Sequence, residues 1–260
     1  MTAMTIDNSD DGTMTTSAKD DGARRLFLVL GILGLLLLSF LPSTLALPVP
    51  ATGLTPGASS RRNLTTSDNM NVSAVAGNVT QIDILGISIT TSWQGFYGNI
   101  SGNIILADAS NNSFYEWGNG TSITGEVFAS RATDIVWNTI NCSNSTQIAQ
   151  EEAYLNQSAG ASDSVSNTFN ETDHTPFLVG LRNMHDCPST NVFTSGSKVN
   201  GNWDQILLAD TANKTVYTTI IDRGTQGFDG RMWDFQLLVG ENGKNGDTAT
   251  TTYYFFTELG

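Results

Sequence analysis

Charge is scarce in this chain, and what there is has mainly one sign. Only 14 % of the 260 residues are charged, and 12 Lys and Arg face 25 Asp and Glu, for a net −13. Nothing here could neutralise a row of phosphates, so a nucleic-acid partner is not expected. The two histidines are too few, and too far apart, to supply the three or four ligands of a zinc site, and a thiolate site lacks further cysteines. Runs of Leu, Ala, Glu and Lys are nearly absent beyond the N-terminus, which argues against a helical bundle. What replaces them is Gly, Ser, Thr and Asn between short apolar runs, the composition of strands and turns. With 39 % hydrophobic residues the chain can bury one sizeable core.

Residues 1–25 are polar, acidic and aperiodic, the composition of a disordered n-region. Arg24-Arg25 then introduces an uncharged run from Leu26 to Leu41, followed by Pro42 and the small-residue exit Ser43-Thr44-Leu45-Ala46. Basic flank, apolar helix and small-residue exit over 26–47 predict a signal peptide or an uncleaved signal-anchor helix. Arg24 to Leu28 also resembles a twin-arginine export signal, without its usual preceding Ser/Thr and following Lys. In each case the N-terminus is cytoplasmic before any cleavage, and everything after Leu47 lies outside, anchored or secreted. Residues 48–71 read as a Pro/Gly/Ser/Thr linker.

From 72 to 260 strand patterns dominate, and they are organised around a repeat. Trp93–Trp117 contains IILADASNNSFYEW, and Ile206–Thr219 contains ILLADTANKTVYTT. With Asp108 laid over Asp210, Leu106 meets Leu208, Asn111 meets Asn213, Ser113 meets Thr215 and Tyr115 meets Tyr217. An apolar run, then Asp, small polar residues and Asn, then a second alternating run predicts two equivalent β-hairpins with Asp at the same turn position. Further strands are expected over Val79–Trp93 with a bulge at Leu85-Gly86, and over Ser122–Ser130, Asp134–Asn141, Thr190–Ser195, Met232–Val239 and Thr250–Leu259. Ser145–Asn156 is the one expected helix, with Ser145 as its cap and Ile148, Tyr154 and Leu155 near one face. Gln157–Thr175 reads as a long polar loop. The fold class is therefore all-β: a β-sandwich or jelly-roll-like domain with one short helix, preceded by a hydrophobic helix and a flexible linker.

Eleven N-x-S/T sequons stand at Asn63, Asn71, Asn78, Asn99, Asn111, Asn119, Asn141, Asn144, Asn156, Asn170 and Asn213. About five are expected by chance at this Ser and Thr content, so the excess points to real glycan acceptors. Cys142 and Cys187, both beyond the export segment, are expected to form one disulfide in an oxidising compartment. Asp173-His174 and His185-Asp186-Cys187 have the residue types of a nucleophile–base set, but no G-x-S-x-G signature accompanies them, and two surface loop histidines are expected. Asp108 and Asp210 with their neighbours could offer oxygens to Ca²⁺. The twelve-residue calcium-loop pattern is absent, however, and Asx turn capping explains the same residues, so no cofactor is assigned. Trp93, Phe96, Tyr97, Tyr115, Trp117, Trp137, Trp203 and Trp233 could stack on sugars where exposed, and are expected mostly in the core.

The strings Trp93–Asn99 (WQGFYGN) and Asp234–Val239 (DFQLLV), with Thr251–Phe255 (TTYYF) near the end, resemble motifs of archaeal exported cell-surface proteins. The resemblance runs from about Trp93 to Leu259. It implies export and a surface location, and carries over no catalytic residue. Composition, sequons and resemblance together lead to an expected exported glycoprotein with a structural or adhesive role. A carbohydrate-binding module using exposed aromatics is the alternative, with an extracellular hydrolase behind it. No catalytic or metal residue is assigned, and an enzyme is not expected. The expected partners are the membrane, through an uncleaved N-terminal segment, and other surface proteins or glycans.

Overall fold

The computed structural model describes residues 47–62, 72–117, 123–158, 160–242 and 250–260. The n-region, the apolar segment to Ala46, sequons Asn63, Asn71 and Asn119, and residues 243–249 of the polar turn lie outside the described residues. Among the described residues no helix is long and apolar enough to cross a membrane.

The unit from Leu45 to Gly260 is built mostly of antiparallel strands. In chain order these are β1 (Val49–Pro50), β2 (Trp93–Gly98), β3 (Ile104–Ala107), β4 (Ser113–Trp117), β5 (Gly125–Ser130) and β6 (Asn141–Cys142). Helices α1 (Ser145–Tyr154) and α2 (Val165–Thr168) follow, then β7 (Phe177–Val179), β8 (Arg182–Met184) and β9 (Ser189–Asn191). Strands β10 (Asp204–Ala209), β11 (Thr215–Ile220), β12 (Phe235–Gly240) and β13 (Tyr254–Leu259) complete the set. A seven-stranded sheet runs β1-β13-β5-β11-β10-β6, with β9 also paired to β10; β2–β12, β3–β4 and β7–β8 are separate two-stranded sheets.

Strand periodicity explains the layering, because successive side chains point to opposite faces. Phe128, Ile206, Leu208, Val216 and Phe256 enter one core cluster, while Ala129, Leu207, Tyr217, Leu237 and Val239 enter a second. The large sheet is thus covered on both sides. The first face carries β7, β8 and the Ile135–Ile140 stretch. The second carries the β2–β12 pair, the Ile148 and Leu155 side of α1, and Val165 and Phe169 around α2.

Several segments depart from the sequence expectation. Val79–Thr91 forms no strand, and β2 begins only at Trp93. Asp134–Asn141 contains a 3₁₀ turn at Trp137–Thr139 before the two-residue β6, since its apolar residues fold over the sheet instead of joining it. The cap of α1 is Asn144, not Ser145. Its side chain accepts from Gln147 N–H while the Gln147 side chain accepts from Asn144 N–H, satisfying two amides the first turn leaves open. Tyr154 is exposed, not on the buried face, and lies under the Arg131 guanidinium at 3.8 Å. The expected polar loop after α1 holds α2, whose Val165 and neighbouring Phe169 are buried.

Burial on both faces makes an unpaired polar group inside costly. Gln205 donates to Gln236 O at 2.6 Å and Thr219 Oγ1 at 2.8 Å, and accepts from Leu238 N–H at 2.9 Å, joining the large sheet to β12. Glu151 on α1 takes both guanidinium arms of Arg131, one at 2.6 Å, and the Tyr217 hydroxyl at 2.8 Å. Burial, then the Glu151 charge, pushes the Tyr217 phenol well above its ordinary value. Glu151→Ala should cost about 3–5 kcal/mol in a urea melt, because it strands the Arg131 charge and the Tyr217 hydroxyl. Replacing all three with Met, Leu and Phe at 131, 151 and 217 should recover most of that loss. A single mutant within about 0.5 kcal/mol of wild type would refute the assignment.

Candidate functional site

The two repeat turns have one hydrogen-bond plan. Asp108 N–H donates to Asn112 O at 3.1 Å and Asn111 N–H to Asp108 O at 3.0 Å; Asp210 N–H donates to Lys214 O at 3.2 Å and Asn213 N–H to Asp210 O at 3.0 Å. The Asp108 carboxylate accepts from the amides of Ser110 and Asn112, and Asp210 from those of Ala212 and Lys214. Asn111 and Asn213 both adopt the left-handed conformation, with φ of 63° and 60°, which Asn tolerates better than most residues. The Asn112 side chain and backbone donors hold the exposed Asp108 carboxyl below its usual range.

The settings of the two hairpins could hardly differ more. β11 pairs with β5, and β10 with β6 and β9, so the second hairpin lies inside the sheet. Strands β3 and β4 pair only with each other among the described residues. The side chains of Ile104, Leu106, Tyr115 and Trp117 share one face through the Ile104↔Trp117 and Leu106↔Tyr115 pairs, and all are exposed. Phe114, on the other face, is 84 % exposed. Equivalent hairpins would bury Leu106 like Leu208, but it is 50 % exposed against 0 %. The register also shifts between Leu106 and Ala107, so Leu106 opposes Tyr115 where Leu208 opposes Val216. The base of the hairpin is fixed to the domain: Ile100 N–H donates to Asp234 at 2.9 Å and Arg223 donates to Ile100 O at 2.6 Å.

A groove of about 900 Å³ is lined by β2, β12 and the Thr190–Phe193 stretch, with Tyr97, Phe193 and Phe228 beside it. Its aromatics are not coplanar. Tyr97 meets Phe228 and Trp233 edge to face, at interplanar angles of 68° and 63°, and Tyr115–Trp117 on the hairpin is tilted by 60°. Of the other aromatics considered for sugar stacking, Trp203 is buried and Trp93, Phe96 and Trp137 pack against the core clusters.

Cys142 and Cys187 form a disulfide with a Cα–Cα distance of 4.8 Å. His174 is not a surface residue: only 6 % exposed, its Nε2 accepts from Cys187 N–H at 3.0 Å and its Nδ1 lies 2.9 Å from Thr175 O. Its role is to fill hydrogen bonds beside the disulfide, which sequence spacing did not reveal. His185 is exposed and touches Asp186. No group of three or more His, Cys, Asp or Glu among the described residues could hold a metal ion.

Sequon asparagines 78, 99, 111, 141, 144, 156, 170 and 213 are all exposed. Asn141, Asn144 and Asn213 accept hydrogen bonds through Oδ1, from Cys142, Gln147 and the Gln147 side chain, which leaves Nδ2, the atom a glycan joins, out of those bonds. These three sit together at the β10–β11 turn and the start of α1.

A carboxylate pair escaped the sequence reading. Glu126 and Glu258 oppose each other across β5 and β13. Glu258 accepts from Gly180 N–H at 2.8 Å, whereas Glu126 is 7 % exposed and accepts no such bond among the described residues. Burial first, and the Glu258 charge second, push Glu126 up to about 8. Burial also raises Glu258. Only the register of two strands distant in sequence brings these residues together. Compared with protein families, curated proteins and solved structures, the chain matches none.

Two outcomes follow. Leu208→Ala should cost about 2–5 kcal/mol while Leu106→Ala stays within about 0.5 kcal/mol in chemical denaturation; equal effects would contradict the two settings. Because the folded Glu126 carboxyl titrates above its ordinary 4.5, the stability it allows is full at low pH and is lost as pH rises towards about 8. Its contribution to that slope is at most about 1.4 kcal/mol per pH unit. Glu126→Gln, which keeps the neutral form, should flatten the fall between pH 5 and 8.5; an unchanged slope would refute the assignment.

Proposed function

We propose that this chain is an exported, N-glycosylated cell-surface protein whose sandwich-like β domain has a structural or adhesive role. The observation that carries this reading is the β3–β4 hairpin, which leaves Ile104, Leu106, Phe114, Tyr115 and Trp117 in solvent. An apolar patch on a hairpin that pairs with no other strand among the described residues is costly for a solitary soluble protein, and such patches mark contact sites. The Arg24–Ala46 export pattern, the Cys142–Cys187 bridge and the exposed sequons agree with an extracytoplasmic site of action.

The other readings have less behind them. A sugar platform needs flat, coplanar rings, and the exposed aromatic pairs meet at steep angles. A glycosidase needs one ionised and one protonated carboxyl flanking a substrate, and the Glu126 carboxyl is buried.

Fractionation of native cells tests the proposal. The protein is expected in the envelope fraction, degraded by protease added to intact cells, with glycan mass on tryptic peptides carrying the exposed sequons. N-terminal sequencing then separates a start at Leu47 from a retained anchor. Recovery of the full chain in the cytoplasm without glycan would refute the proposal.

A further inference from the structure

The repeat shows what β3–β4 lacks. Its counterpart β10–β11, with the same turn and matching residues, has strands on both edges: β5 beside β11, and β6 and β9 beside β10. Beside β3 and β4 the described residues supply none. The same chain also contains a strand sequence without a sheet. Val79–Ile89, VTQIDILGISI, alternates apolar and polar residues with one slip at Leu85-Gly86, yet it joins no ladder. Its apolar side chains from Val79 to Ile87 stand in solvent, Ile84 at 87 % and Leu85 at 91 % exposed. An open hairpin edge and an unpaired strand sequence are complementary, since each offers the backbone N–H and C=O groups the other needs.

We infer that Val79–Ile89 of one copy adds as a strand to the β3–β4 hairpin of a second copy, joining copies head to tail. The inference rests on the surface role proposed above and names the partner.

Within one copy the segment joins no ladder with its own hairpin among the described residues, which leaves both available to a second copy. The segment leaves the domain at the Trp93 end of β2, where the Thr90 hydroxyl donates to Asp163 at 2.5 Å, Trp93 Nε1 donates to Asp163 O at 2.7 Å and Glu241 N–H donates to Ser92 O at 2.8 Å. The hairpin is fixed at the Gly98 end, through Ile100. The six residues of β2 set these ends about 17 Å apart at the rise of an antiparallel strand. Donor and acceptor at opposite ends make a heterologous contact, which repeats into a filament unless it closes as a ring. The sequons agree with this, because Asn78 and Asn99 bracket the segment and Asn111 sits in the hairpin turn, while Val79–Gly98, β3 and β4 contain none. Glycans at those positions would flank the contact without entering it.

Complementation between two variants of the native protein tests the inference. The full exported protein is used, in detergent if the apolar segment is retained. Wild type should form a concentration-dependent series of oligomers in analytical ultracentrifugation. Ile84→Asp with Leu85→Asp, which damages only the donor, and Leu106→Asp with Trp117→Asp, which damages only the acceptor, should each be monomeric with an unchanged melting temperature. Mixed, they should form a dimer, or a trimer where both hairpin edges are taken, and stop there, because the acceptor-damaged copies cannot take a further donor.

A monomeric wild type at tens of micromolar would overturn the inference, and protection of Val79–Ile89 amides from hydrogen exchange in that monomer would identify the chain's own segment as the occupant. Oligomers that survive both pairs of substitutions would also overturn it. Export and glycan mass are measured separately on the same variants. A glycosylated, exported monomer therefore sinks this inference alone, whereas cytoplasmic retention sinks the surface role.

Discussion

Burial of β10 and β11 on both faces is the constraint from which the rest of the domain follows. A strand covered on one side only could leave every second residue polar. Here Ile206 and Leu208 enter one core cluster and Leu207 the other, and Val216 and Tyr217 divide in the same way. Two covering layers are then obligatory, and each needs a device that holds it in place. On one face Gln205 reaches out of β10 to the backbone of β12, while Glu151 fastens α1 to Arg131 and Tyr217. On the other the disulfide ties β6 to the segment after β8, with His174 closing the hydrogen bonds around it. Such polar links add little net stability, but removing one partner of a buried pair is expensive, so they fix the arrangement more than they strengthen it.

The two hairpins separate what a local sequence controls from what its surroundings control. Asp108 and Asp210 bind turn amides at matching positions, and Asn111 and Asn213 take the same left-handed backbone. Turn chemistry acts over four or five residues, so the same residues give the same turn wherever it stands. Register did not transfer, because cross-strand pairing answers to the side chains available on each face. Inside the sheet Leu208 is enclosed by its neighbours; outside it, Leu106 has only Tyr115 across the ladder.

Much of the fold was legible because its signals are local. The β-rich class, the Ser145 helix, the Asp turns and the cysteine pair all depend on a few adjacent residues or on simple counting. The expectation over Val79–Trp93 depended on more. Alternation there is clear, yet a strand also needs a partner to pair with, and among the described residues this segment joins none. The short helix Val165–Thr168 was hidden for the opposite reason. Its stability comes from burying Val165 and Phe169, and four residues show no period to read. Of the candidate site, the turn residues and the sequons were readable from spacing. The hairpin's apolar residues were visible, but not that they would be left uncovered.

By itself the sequence determined the turn geometry of both repeats, the acidic and base-poor character of the chain, and the positions of the sequons. Each is fixed by residues near one another in the chain or by composition. The tertiary structure alone decided which copy of the repeat became core and which became surface, because burial depends on the strands that arrive from elsewhere. It also set Glu126 against Glu258, His174 beside the disulfide, and Arg131 against Glu151 and Tyr217. Those pairings join residues from 13 to 132 positions apart, and over such distances it is the sheet order and strand register that choose the neighbour.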